Sequence, residues 1–244
     1  MKNLAAGYVR CVALIVVLVF SGCAGRKITG PEQESAARPP RIRSLAVVDS
    51  FAAKAVGSAG GYDAWVNTQD IALSCVVTLY QPDQGAYITR QRLKIAPWED
   101  SIEIQGTEPQ GDFTWWLSQG KLRVIQGREH FELLPAPLTA RGYAEAILSI
   151  VAAPAMLLSE SYDFARGSGP IRLEGLWYLP IERYAPATGA AQQAHWSQVR
   201  FWQNRGSGLV DVIWFADEQA GIYLMTRGYQ YRRIAEKGVL VPTK

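Results

Sequence analysis

Ile71-Ala72-Leu73-Ser74-Cys75-Val76-Val77-Thr78-Leu79-Tyr80 decides the fold class. Ile71, Leu73, Cys75, Val77 and Leu79 make one apolar side, opposite Ala72, Ser74, Val76, Thr78 and Tyr80. A period of two belongs to a strand with one buried face, because successive side chains project to opposite sides of a sheet. Pro82-Asp83-Gln84-Gly85 follows with turn chemistry. Further strand patterns occupy 87–95, 101–105, 113–118 and 121–126, and Gln119-Gly120 reads as a tight hairpin between the last two. Short strands at this spacing argue for an antiparallel meander.

Downstream the period changes. Residues 143–161 carry Ala144, Ile147, Leu148, Ile150, Val151, Ala155, Met156, Leu157 and Leu158, a strongly apolar helical stretch that Pro154 is expected to break or kink. Strand patterns resume at 171–179, 196–203, 209–216, 222–233 and 239–241. Upstream, Leu45, Val48, Ala52, Ala55 and Val56 fall on one helical face flanked by Phe51, and Gly57 with Gly60-Gly61 ends that helix. Tyr62-Asp63-Ala64-Trp65 suits a second short helix. The expected class is mainly β (α+β), with about ten strands and helices at the start and in the middle.

The first 42 residues are of another kind. Lys2 and Arg10 precede ten uncharged residues, 11–20, too few for a bilayer core that needs about 20 helical residues. They suit the hydrophobic region of an export signal. Ser21-Gly22-Cys23 resembles the lipobox of bacterial lipoproteins, with Phe20 standing where Leu is usual. The resemblance implies lipidation of Cys23 after removal of residues 1–22; an ordinary signal cut near Gly22 or Ala24 is the alternative. By resemblance to the lipoprotein sorting pattern of diderm bacteria, Ala24 in place of Asp implies the periplasmic face of the outer membrane. Residues 23–42 then form a lipidated cysteine and a polar, proline-containing tether with almost no aliphatic residues, which cannot build a core. Residues 43–244 are the folded domain.

The net charge of +3 falls to about +1 once Lys2 and Arg10 are removed. That excludes a nucleic-acid footprint and gives no electrostatic reason to bind anionic lipid beyond the anchor. Of three cysteines only Cys75 would remain free, so stability rests on a core.

Gly60-Gly61-Tyr62-Asp63-Ala64-Trp65 leading into Ile71, the hairpins through Phe113-Thr114-Trp115-Trp116, and the close Tyr229-Gln230-Tyr231-Arg232-Arg233 into Gly238-Val239-Leu240-Val241-Pro242-Thr243 carry a second likeness. Over most of residues 44–244 the chain resembles the outer-membrane lipoprotein carrier and receptor proteins, the Lol fold. The resemblance implies a curved antiparallel sheet forming an unclosed half-barrel with helices in its mouth, and an apolar hollow that holds acyl chains. Leu73, Val77, Trp115, Trp177, Ile147 and Val151 are the candidate ligand-binding residues. Trp115 and Trp116, being adjacent on a strand, must face opposite ways.

Catalysis is not indicated. His130 and His195 belong to no metal pattern, and no G-x-S-x-G elbow exists. Glu129 and His130 would face opposite ways; Glu99-Asp100 and Asp217-Glu218 read as solvated loop carboxylates. Cys75 reads as a core thiol, and Arg232-Arg233 as a solvated strand end. No metal or cofactor is called for. The expected function is a non-enzymatic, membrane-anchored binding protein for acyl chains of a lipid or lipoprotein. The alternative is a structural or assembly lipoprotein that binds an envelope protein partner.

Overall fold

The computed structural model describes residues 12–13, 42–81, 85–108, 111–128, 138–184, 196–236 and 238–243. Cys23, His130 and His195 lie outside them, as do the predicted signal apart from Val12–Ala13 and the predicted tether apart from Ile42.

The alternation at residue 71 builds β2 (Ile71–Gln81), the first strand of a five-stranded antiparallel meander. Its successors are β3 (Gly85–Ala96), β4 (Ser101–Glu108), β5 (Gly111–Ser118) and β6 (Lys121–Gln126), in sequence order across the sheet. Ile71, Leu73, Cys75 and Val77 are buried, with Leu93, Ile95, Ile102, Ile104, Phe113, Trp115 and Leu117 on the same inner face. The β5–β6 connection is the expected two-residue hairpin. Gln119 has φ 49° and Gly120 φ 72°, the paired positive values that let a turn match strand twist.

A second sheet follows the central helix. Its order is β12 (Ile222–Arg227), β11 (Val210–Asp217), β10 (Gln198–Asn204), β9 (Leu176–Tyr184) and β7 (Asp163–Arg166), with β8 (Ile171–Leu173) also paired to β9. β1 (Val12–Ala13) lies parallel to the outer edge of β12. The run at 171–179 therefore divides at Glu174-Gly175, where both residues have positive φ, and the polar segment at β7 is an additional strand. The run at 222–233 divides likewise, leaving Arg232–Arg233 as β13, paired with β14 (Leu240–Val241). Both arginines are exposed.

The helices fill the space between the sheets. α1 spans Ser50–Ser58, five residues later than the apolar face suggested; Leu45 and Val48 precede it in a turn, Leu45 exposed. α2 is Tyr62–Val66. α3 runs Ala140–Leu158, capped by Thr139, whose hydroxyl accepts from the Gly142 N–H at 3.1 Å. Pro154 does not break it. Only one turn remains beyond the proline, and Pro154 itself is buried among core residues. Of the nineteen residues of α3, seventeen are buried. α3 is apolar and long enough to cross a bilayer by composition, yet it is a core helix packed against β4, β5, β11, β12, α1 and α2.

Two of the stretches that carried the family likeness meet in space. The Leu240 N–H donates to the Ala59 carbonyl at 2.9 Å, and a Cβ on Gly60 (φ 118°) would lie 3.0 Å from the Gly238 carbonyl and the Val239 Cα. The closing hairpin thus seals one end of the core against the glycines between α1 and α2.

Candidate functional site

The inner faces of both sheets and all three helices share one continuous apolar core. Leu73, Val77, Trp115, Ile147 and Val151 all belong to it. Trp177 does not. It shares a strand face with Ile181 but sits near the start of β9, beside the β8–β9 turn, and is 49% exposed. Its alternation was readable; the point at which the core stops along the strand was not.

Trp115 and Trp116 divide as strand geometry demands. Trp115 is buried and its indole donates to the Arg128 carbonyl at 2.8 Å. Trp116 is on the outer face, with the Arg123 guanidinium 5.8 Å from its ring centre.

The concave side is occupied by α3 itself. A small cleft remains at its C-terminal end, with a volume of ≈ 80 Å³. Its walls include Phe51 and Ala52 of α1, Leu157 of α3, Phe164 of β7, and Arg43 and Val48 of the segment leading into the domain. That segment is fastened across the helix end. The Arg43 N–H donates to the Leu158 carbonyl at 2.8 Å, its guanidinium pairs with Asp163 at 2.8 Å, and Ile42 bridges to Ser159. Val47 beside the cleft is 71% exposed. Phe51 was visible in sequence only as a flank of the first helix. Phe164 and Leu157 gave no signal of a shared wall, because no strand was expected at β7.

Few polar groups interrupt the core. The Tyr143 hydroxyl donates to Gln91 Oε1 at 2.8 Å, and Gln91 Nε2 has no partner although the residue is buried. Burial pushes the Tyr143 hydroxyl well up and the neighbouring Cys75 thiol up to about 12. Cys75 is thus a protonated core thiol and not a nucleophile.

Asp100 corrects the reading of Glu99-Asp100 as a solvated pair. The Tyr162 hydroxyl donates to Asp100 Oδ2 at 2.5 Å, linking the β3–β4 turn of the first sheet to the entrance of β7 in the second. Arg183 lies 5.0 Å over the Tyr162 ring. Desolvation raises the Asp100 carboxyl, partly offset by the Tyr162 hydrogen bond and Arg183. Asp217-Glu218 agrees with expectation: Asp217 caps its turn by accepting from the Gln219 and Ala220 N–H groups, both at 3.1 Å.

A second polar cluster sits where β9, β10, β11 and β12 converge. Asn204 donates to Asp211 at 3.2 Å, Arg227 donates to Glu174 and to the Tyr178 hydroxyl, and Tyr229 lies under Arg227 at 4.7 Å. Burial raises the Asp211 carboxyl against the opposing effects of Asn204, Arg227 and Tyr178. Among the described residues no group of three or more His, Cys, Asp and Glu could hold a metal.

No family model and no curated protein matches this sequence. Solved structures do. A LolA superfamily protein from Nitrosomonas europaea superposes with a TM-score of 0.50 at 13% identity, covering 80% of this chain and 81% of that one. An outer membrane lipoprotein-sorting protein domain from Vibrio parahaemolyticus gives 0.44 at 14%, with 78% and 80% covered. A DUF1329 family protein from Desulfovibrio piger gives 0.43 at 14%, with 80% and 83% covered. At these identities the likeness concerns the fold, and the first of the three carries it. Open antiparallel sheets curved around a central helix, without closure into a barrel, give this chain the fold of the LolA superfamily.

Proposed function

We propose that this chain is a membrane-anchored extracytoplasmic binding protein that shelters an acyl chain of a lipid or lipoprotein. It is held by a lipidated Cys23 at the periplasmic face of the outer membrane. The observation that carries the reading is the apolar concave space, filled by a helix of almost uniformly buried residues and open at one end as the cleft at Phe51, Leu157 and Phe164.

The resting cleft is smaller than the cavity of about 150 Å³ that admits a benzene ring in a protein core. It holds the tip of a chain. Deeper insertion requires the segment at Arg43–Asp49 or α1 to move off α3, exchanging the helix's contacts for those of the ligand. Each methylene taken from water contributes about 0.8 kcal/mol, so a chain that inserts fully outweighs the local bonds of that segment.

The test is uptake of a fluorescent fatty acid by the Cys23→Ser chain, repeated with Leu157→Trp, which fills the cleft. Saturable uptake that the tryptophan abolishes is expected; equal uptake by both proteins, or none by either, overturns the reading. A second reading, an assembly lipoprotein whose outer surfaces bind an envelope protein, is favoured by the same filled interior. Crosslinking to one defined protein together with absent fatty-acid uptake would select it.

A further inference from the structure

We infer that the outer face of the first sheet is an electrostatic platform for anionic phospholipid headgroups. Alternation along β3 buries Thr89, Gln91, Leu93 and Ile95 and turns Ile88, Arg90, Arg92 and Lys94 outward, all four exposed. Across the sheet, Lys94 is in register with Glu103, Glu103 with Trp116, and Trp116 with Arg123. Lys121, paired with Ser118, adds a further cation on the same face.

The dimensions make this one patch. Same-face residues on a strand are about 7 Å apart, and β3 and β6 are separated by three strand spacings, about 14 Å in all. Each of the five cations therefore has another about 7 Å away on its own strand, inside the Debye length of about 10 Å in 0.1 M salt, although the patch as a whole spans about 25 Å. The acidic groups there are Glu103, which accepts from Gln105 at 2.6 Å, and Asp112, which accepts from Thr107 at 2.7 Å. Among the described residues none of Arg90, Arg92, Lys94, Lys121 and Arg123 forms an ion pair. The second sheet contrasts with this: Arg200 pairs with Glu182, and Arg227 with Glu174. A near-neutral total charge conceals the asymmetry, which is why counting charges along the sequence gave no reason to expect lipid contact.

A membrane is the partner that the chain's own length favours. The proposal rests on the anchored reading above for proximity alone. Residues 24–41 reach at most about 65 Å when extended, whereas a folded domain of this size has a radius of gyration of about 16 Å. The domain can thus present any face to the surface that holds it, and charge selects the basic one. Exposed Ile88 beside Arg90 supplies an apolar contact at the same level. The cleft takes no residue from this sheet and stays clear of the docked face.

The experiment adds the full chain to phosphatidylcholine vesicles with and without one-third phosphatidylglycerol and measures acetylation of its lysines. Lys94 and Lys121 should be protected several-fold on the anionic vesicles and recover in about 1 M salt, where screening shortens to about 3 Å. Lys54 on α1, bonded to the Arg205 carbonyl, is the control and should not change. Reversing Arg90→Glu with Arg92→Glu should weaken the added affinity for anionic vesicles at least about tenfold. Should that pair fail to fold, Arg90→Gln with Arg92→Gln replaces it, and the footprint on the unmodified chain stands by itself. Equal acetylation on both vesicles, or charge reversal without effect, overturns the platform. Failure of the anchor shows separately, as a chain that does not sediment with pure phosphatidylcholine.

Discussion

Cys75 and Asp211 illustrate what a single residue's burial does to its chemistry. With its pKa pushed up to about 12, the Cys75 thiol carries almost no thiolate at neutral pH. Peptide mapping after iodoacetamide treatment should find Cys75 unlabelled in the native chain and fully labelled in urea; native labelling would contradict the packing described. Asp211 works in the opposite sense for stability. Its folded carboxyl binds a proton more tightly than the ordinary value of 3.8, so the folded state holds more protons between 3.8 and its raised value. Stability contributed by this group is therefore present at low pH and is lost as pH rises through that window. Asp211→Asn should flatten the decline in urea midpoint as pH rises above 3.8, leaving the part due to Asp100, which shifts the same way. The core role of Cys75 was legible because Leu73 and Val77 flank it at a spacing of two. The partners of Asp100 and Asp211 were not, since Tyr162, Tyr178 and Arg227 stand far from them along the chain.

At the scale of elements, α3 is the piece that fills the interior. Pro154 lacks the N–H that would bond the Ile150 carbonyl, which weakens the last turn beside the cleft. Pro154→Ala should raise thermal stability, by up to about 3 kcal/mol less any lost packing; a lowered unfolding midpoint would contradict a last turn weakened by the missing bond. Gly60 is the second test. Its φ of 118° is a region L residues avoid, and the closing hairpin occupies the space of a Cβ. Gly60→Ala should cost about 1–3 kcal/mol in urea unfolding from strain alone. Elements were legible where period and turn chemistry agreed, as in β2 and in the Gln119-Gly120 hairpin. They were not where short polar strands depend on a neighbour: β7 has no apolar alternation and exists because Asp163–Arg166 pair with β9. The late start of α1 has the same origin, since Leu45 finds no wall to pack against.

As a whole molecule, antiparallel sheets that do not close into a barrel share one core with α3 packed inside it, in keeping with the expected half-barrel with helices in its mouth. The β class and the half-barrel were legible because alternation repeats along the chain. The filling of the hollow was not, because an apolar helix reads the same whether it covers a space or occupies it. The central claim is that this interior yields to an acyl chain. Its most direct measurement is mass spectrometry of the Cys23→Ser chain purified from the producing cell, so that an anchor's own acyl groups do not contribute. Close to one acyl-bearing molecule per chain, released on unfolding and absent from Leu157→Trp, is the predicted result. A chain that is consistently empty and takes up no fatty acid when offered it would contradict the account.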